Sequence, residues 1–108
     1  MKVLFICSRN DQRSKVAEAY FSRKYPKHDF KSAGTNYSKC KKLGTNKLTD
    51  DLLLWAEKIY VMQEHHHNMI KKYGSIKCNE KITVLHISDN IYKDENDLID
   101  QLISKVVL

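Results

Sequence analysis

The residues with the most chemistry to offer lie near the start of the chain, in Cys7-Ser8-Arg9-Asn10-Asp11-Gln12-Arg13-Ser14. A cysteine acts as a nucleophile in its thiolate form, and a helix N-terminus facing the sulfur supplies a positive field that favours that anion. Five residues separate Cys7 from Arg13. That length lets a loop curl so that both side chains reach one anion, while its backbone N–H groups point at the same place. The planar fork of Arg13 grips two oxygens at once, which a lysine ammonium does not. Arg9, Arg13 and Arg23 are the only arginines among 19 basic residues, and two of them fall in this window. Cys40 and Cys78 have Asn46 and Val84 at the same offset, so the pairing is peculiar to Cys7. The ordinary alternatives are an inert buried thiol and a solvated arginine. A strand before the loop and a helix after it separate the two readings.

Both are expected from the pattern. Lys2 to Ile6 reads as a continuous apolar strand. Ser14 to Tyr25 places Val16, Ala17, Tyr20 and Phe21 on one helical stripe. Further strands are expected at His28 to Ala33, Lys58 to Met62 and Lys81 to Ile87. Further helices are expected at Leu48 to Ala56, with Thr49 as cap, at Glu64 to Tyr73, stopped by Gly74, and at Glu95 to Val107. Strand and helix alternate, which predicts an α/β three-layer sandwich: a parallel sheet with helices on both faces. Ligands then bind beyond the carboxyl ends of the strands, so the loops after Ile6 and Ile87 are where chemistry belongs. With 108 residues, one proline and no repeat or linker, residues 1–108 read as a single domain.

Composition narrows the classes. The net charge of +6 favours phosphorylated or other anionic partners. No apolar run is long enough for a membrane helix, and the opening one is too short for an export leader, so a cytoplasmic protein with no membrane partner is expected. Three cysteines without a C-x-x-C spacing argue against a disulfide framework and a zinc site. His65-His66-His67 would point in different directions on a helix and reads as a solvated face, with no metal expected. Cys40, within Lys39-Cys40-Lys41-Lys42, reads as a surface thiol. No aromatics interleave with those lysines, so nucleic acid is disfavoured. Nothing in the sequence specifies an oligomeric partner.

Cys7-x5-Arg13-Ser14 after an apolar strand resembles the phosphate-binding loop of the low-molecular-weight protein tyrosine phosphatases. Ala17-Glu18-Ala19, Ser32-Ala33-Gly34-Thr35, Lys58-Ile59-Tyr60-Val61-Met62 and Ile87-Ser88-Asp89-Asn90-Ile91-Tyr92 continue the resemblance, in order, along nearly the whole chain. The resemblance implies a short, divergent member: a hydrolase with a four-stranded parallel sheet in the order 2-1-3-4 and no cofactor. It implies that Cys7 attacks phosphorus and that Arg13 and the loop amides of Ser8, Arg9, Asn10, Asp11, Gln12 and Ser14 hold the oxygens. Ser14 would donate to the Cys7 sulfur and Asn10 would pin the loop. Asp89 would serve as general acid and then base, with Asp94 as the substitute candidate. Tyr37 and Tyr92 would be aromatic walls. A phosphorylated protein or small aryl phosphate would be substrate, and inorganic phosphate or sulfate could occupy the loop.

The chain departs from the family pattern in places. Arg9 stands where glycine is usual, and Asp11 adds a negative charge that is expected to turn outward toward Arg9. Gln12 stands where many members carry a second cysteine, and Lys15 and Asn90 replace prolines. These departures leave a non-catalytic phosphate-binding module as the alternative. An arsenate reductase would need resolving cysteines, of which only Cys78 is near the required region. A sugar-transport phosphocarrier is opposed by Arg13.

Overall fold

The computed structural model describes residues 1–73 and 76–108, with side-chain placement excepted at 73 and 76–78. The expected helix stop at Gly74 and the side chain of Cys78 lie outside the described residues. Four strands, β1 (Lys2–Cys7), β2 (Asp29–Gly34), β3 (Lys58–Val61) and β4 (Ile82–Val84), form one sheet in the order β2-β1-β3-β4. All three pairings are parallel, with Cys7 opposite Gly34 and Ile6 opposite Val61. The helices are α1 (Arg13–Lys24), α2 (Tyr37–Leu43), α3 (Asp50–Trp55), α4 (Glu64–Tyr73) and α5 (Glu95–Lys105), and a 3₁₀ turn spans Ile76–Lys81.

Central β1 is apolar on both faces because helices cover both. Val3, Phe5 and Cys7 point to one side, into a cluster with Ala17 and Phe21 of α1 and Leu98 and Leu102 of α5. Leu4 and Ile6 point to the other, with Leu53 of α3 and Ile70 of α4. Phe5 stacks on Phe21 and Tyr60 at 5.5 and 5.7 Å between ring centres. The alternation of a strand therefore decides that Cys7 emerges on the α1 side, at the carboxyl edge of the sheet.

Three expectations need correcting. Helix α2 was not expected: it is seven residues long and strongly cationic, so it has no apolar stripe, and its ends define it. Asn36 caps its start by accepting the Lys39 N–H, and Gly44, at φ 71°, closes its end in the left-handed region. Strand β4 is shorter than the expected Lys81 to Ile87 because His86, at φ 57°, breaks the extended run. Cys40 is not a surface thiol but fully buried. In α3, by contrast, the Thr49 side chain accepts the Leu52 N–H as expected.

Candidate active site

The loop after β1 is built around its sulfur. Cys7 Sγ accepts the Asn10 N–H at 3.3 Å and lies 3.0 Å from Ser14 Oγ. Ser14 Oγ accepts a hydrogen bond from Asn10 Nδ2 at 2.8 Å and lies 3.5 Å from the Ala33 carbonyl. The sulfur thus lies within hydrogen-bond reach of both the loop backbone and the Ser14 hydroxyl. Asn10 is fully buried and sits at φ 56°, a left-handed conformation that asparagine adopts more readily than most residues. The tight backbone position is therefore Asn10, while Arg9 needs no positive φ. The Asn10 side chain also accepts the Asn46 N–H at 3.1 Å, which ties the loop to the segment before α3.

Behind the loop, the Ser8 carbonyl accepts the Asn36 N–H at 2.8 Å and the Cys7 carbonyl accepts the Thr35 N–H at 3.0 Å. Gly34 is required here: a Cβ on it would fall 2.6 Å from both the Ser8 carbonyl oxygen and Cys40 Sγ. The Cys40 thiol faces the Arg9 carbonyl at 3.5 Å, so it packs the rear wall of the loop. Asp11 turns out as expected, 3.5 Å from Arg9 Nε.

Arg13, the first residue of α1, is buried, and its guanidinium reaches across the sheet edge. Nη1 donates to Gln63 Oε1 at 2.6 Å and to the Ile87 carbonyl at 2.9 Å. Nε donates to Asp89 Oδ1 at 2.8 Å, although the Asp89 side chain itself is 56% exposed. The structure thus brings Asp89 to Cys7's partner arginine. Asp94 goes elsewhere: its carboxylate caps α5 by accepting the Asp97 N–H at 2.9 Å.

The two expected aromatic walls lie on different sides. Tyr92 donates to Gln12 Oε1 at 2.8 Å. Its phenol is held above the usual tyrosine range by burial and by the Asp89 carboxylate. Tyr37 is exposed at the start of α2 and helps line a groove of about 620 Å³, with Leu53, Met69 and Ile70 at its apolar side. The groove lies beside the loop, which it touches through Ser8, and not over Cys7.

Gln63 and His66 escaped the sequence reading. The histidine triplet is not a uniformly solvated face, because His66 is fully buried beneath the loop. Its ring bonds Ser8 Oγ through Nε2 at 2.9 Å and accepts the Gln63 N–H on Nδ1 at 3.0 Å. Burial, then the neighbouring His65 and Arg13, hold its pKa down at about 3, so the ring is neutral. The signal that could have found it is position: His66 is the third residue of α4, where a side chain reaches back to the N–H before the helix. Among the described residues no three His, Cys, Asp or Glu side chains cluster as metal ligands would. Among them also, no helix is long and apolar enough to cross a membrane.

No protein-family model matches the chain, and no curated protein matches its sequence. Solved structures do match its fold. YwlE arginine phosphatase from Geobacillus stearothermophilus is 22% identical, with a TM-score of 0.69, over 96% of this chain and 91% of that one. A low-molecular-weight phosphotyrosine phosphatase from Vibrio cholerae O395 is 15% identical, with a TM-score of 0.70, over 95% and 88%. The tyrosine phosphatase Wzb from Escherichia coli K30, in complex with phosphate, is 21% identical, with a TM-score of 0.71, over 93% and 86%. The parallel sheet in the order β2-β1-β3-β4 and these near full-length superpositions give one conclusion: the chain has the fold of the low-molecular-weight tyrosine phosphatases.

Proposed function

We propose that this chain is a cysteine-dependent phosphomonoesterase of the protein tyrosine phosphatase type. The observation that carries the reading is the convergence of Ser14 Oγ and the Asn10 N–H on the Cys7 sulfur, with Arg13 and Asp89 paired at the other end of the same loop. In the first step the Cys7 sulfur forms a bond to phosphorus. The phosphorus–oxygen ester bond breaks, and Asp89 gives its proton to the leaving oxygen. In the second step water attacks phosphorus, the sulfur–phosphorus bond breaks, and Asp89 takes the proton from water. Arg13 and the loop amides carry the charge on the equatorial oxygens.

Arg13 Nη1 is committed to Gln63 and Ile87, so a two-pronged grip on phosphate uses Nη2 and Nε. Nε is the donor that Asp89 holds in the absence of substrate. A phosphate oxygen competes for it and moves the Asp89 carboxyl off Arg13, toward the leaving oxygen it must protonate. Phosphotyrosine in a protein or a small aryl phosphate suits this site, with Tyr92 beside the ring. Inorganic phosphate occupies the loop as product.

Hydrolysis of p-nitrophenyl phosphate, in the presence of a chelator, tests the reading. Wild type turns over, Cys7→Ser does not, and Asp89→Asn is slowed. Comparison of phosphotyrosine with phosphoarginine peptides then assigns the leaving group, since the matched structures include phosphatases named for each. A wild-type protein that binds phosphate without hydrolysing any of these esters would instead favour the binding-module alternative.

A further inference from the structure

Both ring nitrogens of His66 are committed. Nδ1 accepts the Gln63 N–H at 3.0 Å, the half of a capping box that Glu or Gln more often makes. An accepting Nδ1 leaves the ring proton on Nε2, so Nε2 donates to Ser8 Oγ across 2.9 Å. Gln63 in turn accepts Arg13 Nη1 at 2.6 Å through its side chain. The short stretch from Gln63 to His66 therefore holds both arms of the loop: Ser8, next to the nucleophile, and Arg13, at the far end. These bonds cross from the carboxyl edge of β3 to that of β1, its neighbour in the sheet.

We propose that His66 is a positioning residue of the phosphate loop, acting with Gln63 as a clamp that fixes the distance between Ser8 and Arg13. His66 touches no reacting atom in this arrangement. It sets the loop width through a single hydroxyl, and a hydrophobic residue of similar size fills its space without holding Ser8. The catalytic consequence rests on the phosphatase reading above, but the clamp itself is measured by anion affinity, which needs no turnover.

The test is calorimetric binding of inorganic phosphate to wild type, Ser8→Ala, His66→Leu, His66→Gln and the Ser8→Ala/His66→Leu double variant, with p-nitrophenyl phosphate kinetics alongside. Ser8→Ala is expected to weaken phosphate binding by about tenfold, the effect of one lost hydrogen bond, and His66→Leu, which also leaves the Gln63 N–H without its partner, by at least as much. The double variant is expected to be no worse than His66→Leu alone, because that variant already removes the bond that Ser8→Ala removes. His66→Gln, whose amide nitrogen can reach Ser8, is expected to recover most of the affinity. Ser8→Ala lies outside the core clusters, so it reports even where His66→Leu folds poorly. Phosphate affinity unchanged in Ser8→Ala, or additive losses in the double variant, would overturn the clamp, as would a wild type that binds no phosphate. Intact phosphate binding without hydrolysis would sink the enzymatic reading and leave the clamp standing.

Discussion

Ser14 and Asn10 both bond the Cys7 sulfur, and their contributions are separable because Ser14 acts through its side chain and Asn10 through its backbone. Ser14→Ala removes a charge-assisted bond worth about 1.5–3 kcal/mol, so kcat is expected to fall roughly 10- to 100-fold with little change in KM. The rate of Cys7 alkylation by iodoacetamide at pH 6 should fall with it, and an unchanged alkylation rate would show that Ser14 does not support the thiolate. Arg13→Lys keeps the positive charge and loses the fork, so kcat/KM is expected to drop by about 100-fold or more. At this scale Cys7 and Arg13 were read from their spacing taken together with the strand before them and the helix after them, because their chemistry needs a fixed offset within one loop. Asp89 was reached through resemblance. Its bond to Arg13 joins distant parts of the chain, and no local pattern encodes it.

The elements that hold the loop make their own predictions. Gly34 sits where β2 passes behind Ser8, and a methyl group there collides with backbone on one side and with the buried Cys40 thiol on the other. Gly34→Ala is expected to lower stability by about 1–3 kcal/mol, as overpacking does, and to reduce phosphate affinity because the Ser8 carbonyl must shift. Urea unfolding and phosphate titration of the same variant read both effects. Helix α4 contributes a pH dependence. His66 has a pKa of about 3 in the folded protein against about 6.5 unfolded, so between those values the unfolded chain binds more protons. Stability therefore rises with pH across that window and is lost as pH falls below about 6.5, by up to about 1.4 kcal/mol per pH unit from this one group. His66→Gln should flatten that slope in urea unfolding series at pH 4 to 7, and a slope that persists would assign it to other groups. Periodicity found α1, α3 and α5 because their apolar faces meet the sheet. It missed α2, whose evidence was only Asn36 before it and Gly44 after it. It also misread Cys40 and His66, since tertiary packing buried one residue of a lysine run and one of a histidine triplet.

For the whole molecule, the alternation of strands and helices was enough for a parallel sheet covered on both faces. The order β2-β1-β3-β4 came from resemblance, because many orders satisfy the same alternation. The net charge of +6 acts over the entire surface rather than through any one contact. It is expected to raise the encounter rate with anionic phosphopeptides, so kcat/KM should fall as salt rises from 20 to 300 mM while kcat stays level. A neutral-flanked phosphopeptide should show a weaker dependence than an acidic one. Equal salt dependence for both would place the charge effect at the loop alone.

The most direct measurement is acid-quench mass spectrometry of the Asp89→Asn protein turning over p-nitrophenyl phosphate. Nitrophenol leaves without much help from an acid, whereas release of phosphate from the enzyme still needs a base, so the second step becomes the slow one. A phosphoryl group is then expected to accumulate on the peptide containing Cys7 and to be absent in Cys7→Ser. Steady hydrolysis with no adduct on that peptide, or hydrolysis that survives in Cys7→Ser, would contradict a phosphocysteine mechanism at this site.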